Sequence, residues 1–301
     1  MDNRQAGVAF GIATMLTVAI LPVSSKFSIG YVNPLLFSSF TLLVAALASY
    51  AILAWQGRQR EFSASIPRVL KLAAFSYVGF SALFFIAQSS LTAVESMLLA
   101  QSEPFFAIIF SVLVLSERIS LQRLAITAIM AAVIVVFIAL PGGSMGFGLV
   151  PVLMLFASMA SMQFGYSISM EEIETIDPLV VCSSASLLAG LGLFALGLAA
   201  SPSEMALPSL WIVPYLVFHG LVGWLIAYVA YYEAIRRIGL SFSTAMLIPS
   251  PIISIWLANA FLGEVATQSQ VAGLVLVIAC LALLVVAGLR EKAGLPAKKP
   301  R

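Results

Sequence analysis

Ten apolar runs, each near the roughly 20 residues that a helix needs to cross a bilayer, follow one another along this chain with only short connections. They cover Ala6–Ile29, Pro34–Trp55, Val69–Leu91, Ala93–Leu115, Leu121–Leu140, Phe147–Met170, Pro178–Ala200, Leu210–Ala234, Ser241–Phe261 and Val271–Leu289. A backbone immersed in lipid must satisfy its own hydrogen bonds, which leaves helices or closed barrels. Barrel strands alternate in polarity over about ten residues, whereas these runs are continuously apolar. The expected fold is therefore all-α: a polytopic membrane protein with ten transmembrane helices. With 61% hydrophobic and 9% charged residues, the chain is no soluble domain, in which about 25% would be charged.

Met1 to Gln5, ahead of the first run, imitates the start of a signal peptide. No small-x-small site closes a short apolar stretch, however, and the run continues past Pro22 to Ile29, so it reads as the first membrane helix. With the N-terminus inside, alternation places each of the 15 basic residues except Lys26 on the cytoplasmic side, as the positive-inside rule requires. Both termini are then cytoplasmic, and 290–301 forms a basic cytoplasmic tail. A net charge of +2 gives no nucleic-acid footprint. Cys182 and Cys280 fall inside apolar runs and read as packed, reduced thiols; no spacing suits a metal site, and no cofactor is expected. The expected state is a monomer or a weak homodimer in the lipid bilayer.

An internal repeat organises the chain. Sliding Pro104 onto Pro251 also brings Ala87 onto Ala234, Ser96 onto Ser243, Leu115 onto Leu262, Glu117 onto Glu264 and Ala125 onto Ala272. Pro34 and Pro178, which each open the second helix of a half, match with a small drift. The chain thus divides into a first five-helix repeat, 6–140, and a second, 147–289. An odd number of spans per half makes the second half enter from the opposite face, so the two repeats are inverted. Such repeats suit alternating access, with a solute bound near the midplane between the halves; channels are also built this way.

Glu103-Pro104-Phe105-Phe106, followed by Leu115-Ser116-Glu117-Arg118-Ile119-Ser120, resembles the EamA-type repeat of the drug/metabolite transporter superfamily. The second copy, Pro251 through Leu262-Gly263-Glu264, is similar but lacks Glu before the proline and Arg after the later Glu. The first helix carries Leu21-Pro22-Val23-Ser24-Ser25-Lys26 where the family often has Trp-Gly. The resemblance extends from Ala6 to Gly288. It implies a carrier of the bacterial inner membrane, commonly an exporter of amino acids, their analogues or other metabolites.

Glu103 stands near the centre of the fourth span, where an ionised side chain costs several kcal/mol unless paired or hydrated. Pro104 lacks an amide donor, so the carbonyl of Ala100 is expected to lose its helical partner. A carboxylate at a kink suits proton titration or the capture of a substrate amine; the alternative is a hydrogen-bonded Glu that belongs to helix packing. Glu95 lies about 80° round and about 12 Å along the same helix. It either faces the same cavity or serves as a helix-start carboxylate. His219, the single histidine, titrates in the range that suits proton coupling. Beside Gly220 and Gly223, small residues that let helices approach, it serves equally well in packing. A Glu103–His219 couple would join the two halves.

Trp224, Tyr228 and Tyr231 form a helical stripe. Trp224 is expected to wall the cavity, and Tyr228, Tyr231 and Tyr232 to sit in an interfacial aromatic belt. Tyr77, Phe80, Phe84 and Gln88 make a second stripe, and Gln163 with Tyr166 a third polar spot; buried amides and phenols must face protein or water. Pro249 and Pro251 are expected to free the carbonyls of Ala245 and Leu247, with Ser250 at the place that Glu103 holds in the first half. Pro104, Pro249, Ser250 and Pro251 would then line the cavity as kinks. Glu117 and Glu264 are expected to tie their own turns through backbone amides, Ser120 and Ser269 to cap the helices that follow, and Lys26 to snorkel to the interface.

These features point to a secondary transporter, expected to export a small metabolite such as an amino acid or an amine-bearing or aromatic compound by alternating access, with proton coupling through Glu103. The alternative is an uncoupled facilitator or channel-like permease. One histidine, no reactive cysteine site and no acidic pair with metal spacing leave no catalytic cluster for an enzyme.

Overall fold

The computed structural model describes residues 3–116, 120–139, 148–206, 209–238, 243 and 246–294. Ten apolar helices run through them: α1 Asn3–Ile29, α2 Pro34–Trp55, α3 Leu70–Ser90, α4 Ala93–Leu113, α5 Leu121–Ala139, α6 Leu149–Ile168, α7 Pro178–Ala200, α8 Leu210–Ile238, α9 Ser250–Leu262 and α10 Gln268–Gly294. Eight are long and apolar enough to cross a membrane; the described parts of α5 and α9 form shorter apolar helices. Among the described residues no strand forms. Two short helices, Gln59–Ser65 and Met170–Thr175, lie between α2 and α3 and between α6 and α7.

Local chemistry sets the helix starts. Asn33 and Asp177 each accept the amide of the residue two positions on, at 2.8 and 2.9 Å, with Pro34 and Pro178 at the first helical position. Such a cap satisfies an orphan donor, and proline has no amide to waste there. Thr92 and Glu95 close a reciprocal capping box at the head of α4, and Thr267 and Gln270 do the same ahead of α10. The α10 cap is therefore Thr267, where Ser269 was expected; a Gln three residues on completes its box. Ser120 caps α5 as expected, accepting the Arg123 amide at 3.3 Å. Gly263 ends α9 at φ 67°, a left-handed conformation that costs glycine least.

The packing obeys the repeat. Helix α2 packs on α7, α5 on α10 and α4 on α9; α1 packs on α8 and α9 as α6 packs on α3 and α4; α2 meets α8 as α7 meets α3. Each contact has a counterpart with the halves exchanged, which is what a two-fold relation demands. It holds at atomic detail between α2 and α7. Ser39 donates to the carbonyl of Gly190 at 2.9 Å, and Ser183, its counterpart, donates to the carbonyl of Ala46 at 3.4 Å. Helices α3 and α8 each contain a π-helical segment, Ala73–Gly79 and His219–Ile226, at matching positions. Widened turns of this kind concentrate at functional sites.

In lipid the hydrophobic effect does not drive helices together, so close approach does. A Cβ on Gly220 of α8 would lie 2.6 Å from the carbonyl oxygen of Thr41 on α2, and one on Gly165 of α6 would lie 2.7 Å from the amide nitrogen of Ser76 on α3. Backbone stands at both places, so a larger residue forces the helices apart. Gly220→Ala is expected to destabilise the protein by about 1–3 kcal/mol, read as a lower melting temperature in detergent; an unchanged melting temperature would show that the α2–α8 contact yields without cost.

Candidate functional site

Helix α4 is broken rather than bent. Ala93–Ala100 ends in two tight turns, with Gln101 and Ser102 donating to the carbonyls of Leu98 and Leu99, and a new segment starts at Glu103. Proline at the second helical position makes this a favourable start, because its missing amide would be an orphan there anyway. Glu103 thus occupies a first helical turn, where the dipole favours a negative charge. Helix α9 repeats the device: turns at Leu247–Pro249, then a helix from Ser250 with Pro251 in the second position. The Leu247 carbonyl is not free, as had been expected, since it accepts the Ser250 amide at 2.9 Å. Ala245 lies outside the described residues.

Glu103 is half-buried, and its Oε1 accepts the side-chain amide of Gln163 from α6 at 2.7 Å. Two residues chosen separately from the sequence therefore meet across the two repeats. A charge-assisted bond of this length is among the stronger ones available to a carboxylate. Tyr228 of α8 lies within electrostatic reach of Glu103 and shares a hydroxyl contact with Tyr166, one turn beyond Gln163. The Tyr228 ring stacks on Trp224 at 5.3 Å, Trp224 stacks on Tyr77 at 5.7 Å, and Phe80 meets the Trp224 edge. The hydroxyls of Tyr77 and Tyr232 are buried and approach each other in the same cluster. Four helices, α3, α4, α6 and α8, thus bring a carboxylate, an amide, phenols and aromatic faces to one place.

Trp224 is sealed in the protein, 3% exposed, with its indole donating to Thr41 at 3.2 Å. It backs the cluster, and Tyr228, half-buried and nearer Glu103, is the ring that faces the site. The interfacial belt expected of Tyr228 and Tyr232 is not what forms: Tyr232 is 3% exposed and packs on Tyr228. Tyr228 was legible as part of the Trp224 stripe and Tyr232 only as a belt residue; their burial was not legible. His219 pairs its Nδ1 with Ser24 of α1 at 2.8 Å and packs on Phe37. It joins the halves through α1 and α2 and makes no described contact with Glu103. Glu95 lies in its capping box, the helix-start reading. Ser250 and Pro251 are buried and Pro104 is half-buried, while Pro249 is exposed.

Glu264 accepts the amides of Ala93 and Val94 at 3.0 and 3.2 Å. It does bind backbone amides, but those of the other half rather than of its own turn. Glu117 lies outside the described residues. Lys26 donates to the carbonyls of Gln88 and Ser89 at 2.9 and 3.2 Å.

A profile of the EamA-like transporter family matches residues 5–139 and 149–286, and the chain belongs to that family. It is a multi-pass membrane protein of two repeats, in a family of small-solute transporters rather than of enzymes. A solved crystal structure with 18% sequence identity covers 96% of this chain and 99% of its own length at a TM-score of 0.70; at that identity the likeness concerns the fold. No curated protein matches the chain.

Proposed function

We propose that this protein is a secondary carrier that exports an amine-bearing or aromatic metabolite from a bacterial cell by alternating access, with Glu103 as the group that exchanges a proton for the substrate amine. The observation that carries the reading is the Glu103–Gln163 bond at the break of α4, beside the Tyr228–Trp224–Tyr77 stack. A half-buried carboxylate at a broken helix has one good acceptor oxygen engaged by Gln163 and can offer the other to an ammonium group. Aromatic faces next to it favour a cation or an aromatic ring. Neutral Gln163 orients the carboxylate without neutralising it, so proton and ammonium compete for one charge, which is the requirement for exchange. The membrane is the bacterial inner membrane, with both termini cytoplasmic, which places Arg58, Arg68, Lys71, Arg236 and Arg237 inside.

The test is a thermal-shift screen of the purified protein across amino acids, polyamines and organic cations. A ligand of this class at about a hundred times its dissociation constant adds about 2.7 kcal/mol, and the same ligand should drive counterflow in proteoliposomes with an imposed pH gradient. Binding without any dependence of flux on the gradient would leave an uncoupled facilitator.

A further inference from the structure

The turn between α3 and α4, Gln88–Val94, is gripped by charge at both ends. The last carbonyls of α3, Gln88 and Ser89, receive the ammonium of Lys26 from α1. The first amides of α4, Ala93 and Val94, receive the carboxylate of Glu264 from the α9–α10 connection. A cation on a helix C-terminus and an anion on a helix N-terminus is the favourable arrangement at each end. Lys26 also lies within electrostatic reach of Glu264 and Glu95. The Gln88 side chain fastens the turn further to α1, accepting from Ser25 at 2.8 Å and donating to the Pro22 carbonyl at 3.0 Å.

The grip crosses the repeat boundary, because Lys26 and the turn belong to the first half and Glu264 to the second. Beneath it the face is shut by apolar packing: Val23, Ala93, Val94 and Leu98 close against Ala258 and Leu274. The first segment of α4 is buried from Ala93 to Leu99, whereas in Glu103–Leu113 only Ile108 is buried. Helix α4 is thus sealed on the face away from the chain's N-terminus and loosely packed towards the other. Among the described residues, charged side chains tie the halves at the N-terminal end from exposed positions: Arg58 to Asp177 at 3.3 Å, Arg68 to Thr175 at 3.1 Å and Arg237 to Asn3 at 2.9 Å. Exposed pairs hold weakly.

The geometry points to a latch: Glu264 of the second half, with Lys26 of the first, holds the α3–α4 turn closed over the face away from the N-terminus, and that face opens when Glu264 leaves the Ala93 and Val94 amides. The inference rests on the alternating-access reading, since only a carrier must close one face while it opens the other. It adds residues that the central site does not contain.

The test needs no substrate, so it stands or falls apart from the identity of the solute. Ser102 is buried, its hydroxyl has no hydrogen-bond partner among the described residues, and along α4 it lies between the latch and Glu103. With Cys182 and Cys280 replaced by serine, Ser102→Cys in vesicles reports whether a membrane-impermeant maleimide reaches the site from the face away from the N-terminus. Glu264→Ala and Lys26→Met are each expected to raise the labelling rate about tenfold, the size expected for a lost charge-assisted bond. Glu264→Gln keeps shape and one acceptor, should give a smaller rise, and carries the test if the alanine form is not recovered. Labelling unchanged in Lys26→Met and Glu264→Gln, with both forms monodisperse and native in melting temperature, would overturn the latch.

Discussion

Glu103→Gln is expected to abolish transport driven by a pH gradient while the protein still folds and inserts. Glutamine keeps the Oε1 acceptor that binds Gln163 at 2.7 Å, so the contact across the repeats survives, and the melting temperature should stay near that of the parent. What disappears is the titratable charge. Without it the site cannot exchange a proton for a cation, and an ammonium ligand loses a charge-assisted bond worth about 1.5–3 kcal/mol, or about tenfold to a hundredfold in affinity. Proteoliposomes with an imposed pH gradient read the first effect and ligand titration reads the second. Gradient-driven flux equal to the parent's would remove Glu103 from the coupling mechanism.

The second large effect is expected at Trp224. This side chain is 3% exposed, stacked between Tyr77 and Tyr228, and donates to Thr41. Trp224→Ala opens a hole at the junction of α2, α3 and α8 and removes the donor to the Thr41 hydroxyl, which keeps its own bond to the Ser38 carbonyl. The cost should fall in the range of about 3–5 kcal/mol seen for large-to-small aromatic changes, read as a steep loss of melting temperature. Trp224→Phe keeps a stacking face and gives up mainly the indole hydrogen bond, about 1 kcal/mol. If ligand affinity falls in the phenylalanine form while stability holds, Trp224 touches the solute. If stability falls and affinity holds, Tyr228 alone presents the aromatic face.

Much of the site could be read from the chain because lipid makes polarity expensive. A Glu, a Gln or a Tyr inside an apolar run must face protein or water, so Glu103, Gln163 and Tyr77 stood out against their neighbours. The rule gives depth and never partner. Gln163 could have met any polar group; that it meets Glu103 depends on α6 lying against the second segment of α4. His219 shows a second case. Its residue type suggested proton coupling or packing, and its partners, Ser24 of α1 and Phe37 of α2, could not be read from the chain. Glu264 shows a third case, a carboxylate at a turn whose amide partners belong to the other repeat.

The sequence by itself determined the all-helical membrane fold, the two five-helix halves and the matched proline kinks at Pro104 and Pro251, which the structure shows as breaks, since span length, charge alternation and proline stereochemistry are local properties. Tertiary structure alone decided which helices touch. It paired Ser39 with Gly190 and Ser183 with Ala46 across the two-fold relation, placed π-helical turns in α3 and α8, set Glu103 on Gln163 and sent Glu264 to the head of α4. Each of these depends on two segments far apart in the chain. Helix propensity and hydropathy carry no information about such meetings; close packing of small residues and the need to satisfy buried polar groups supply it.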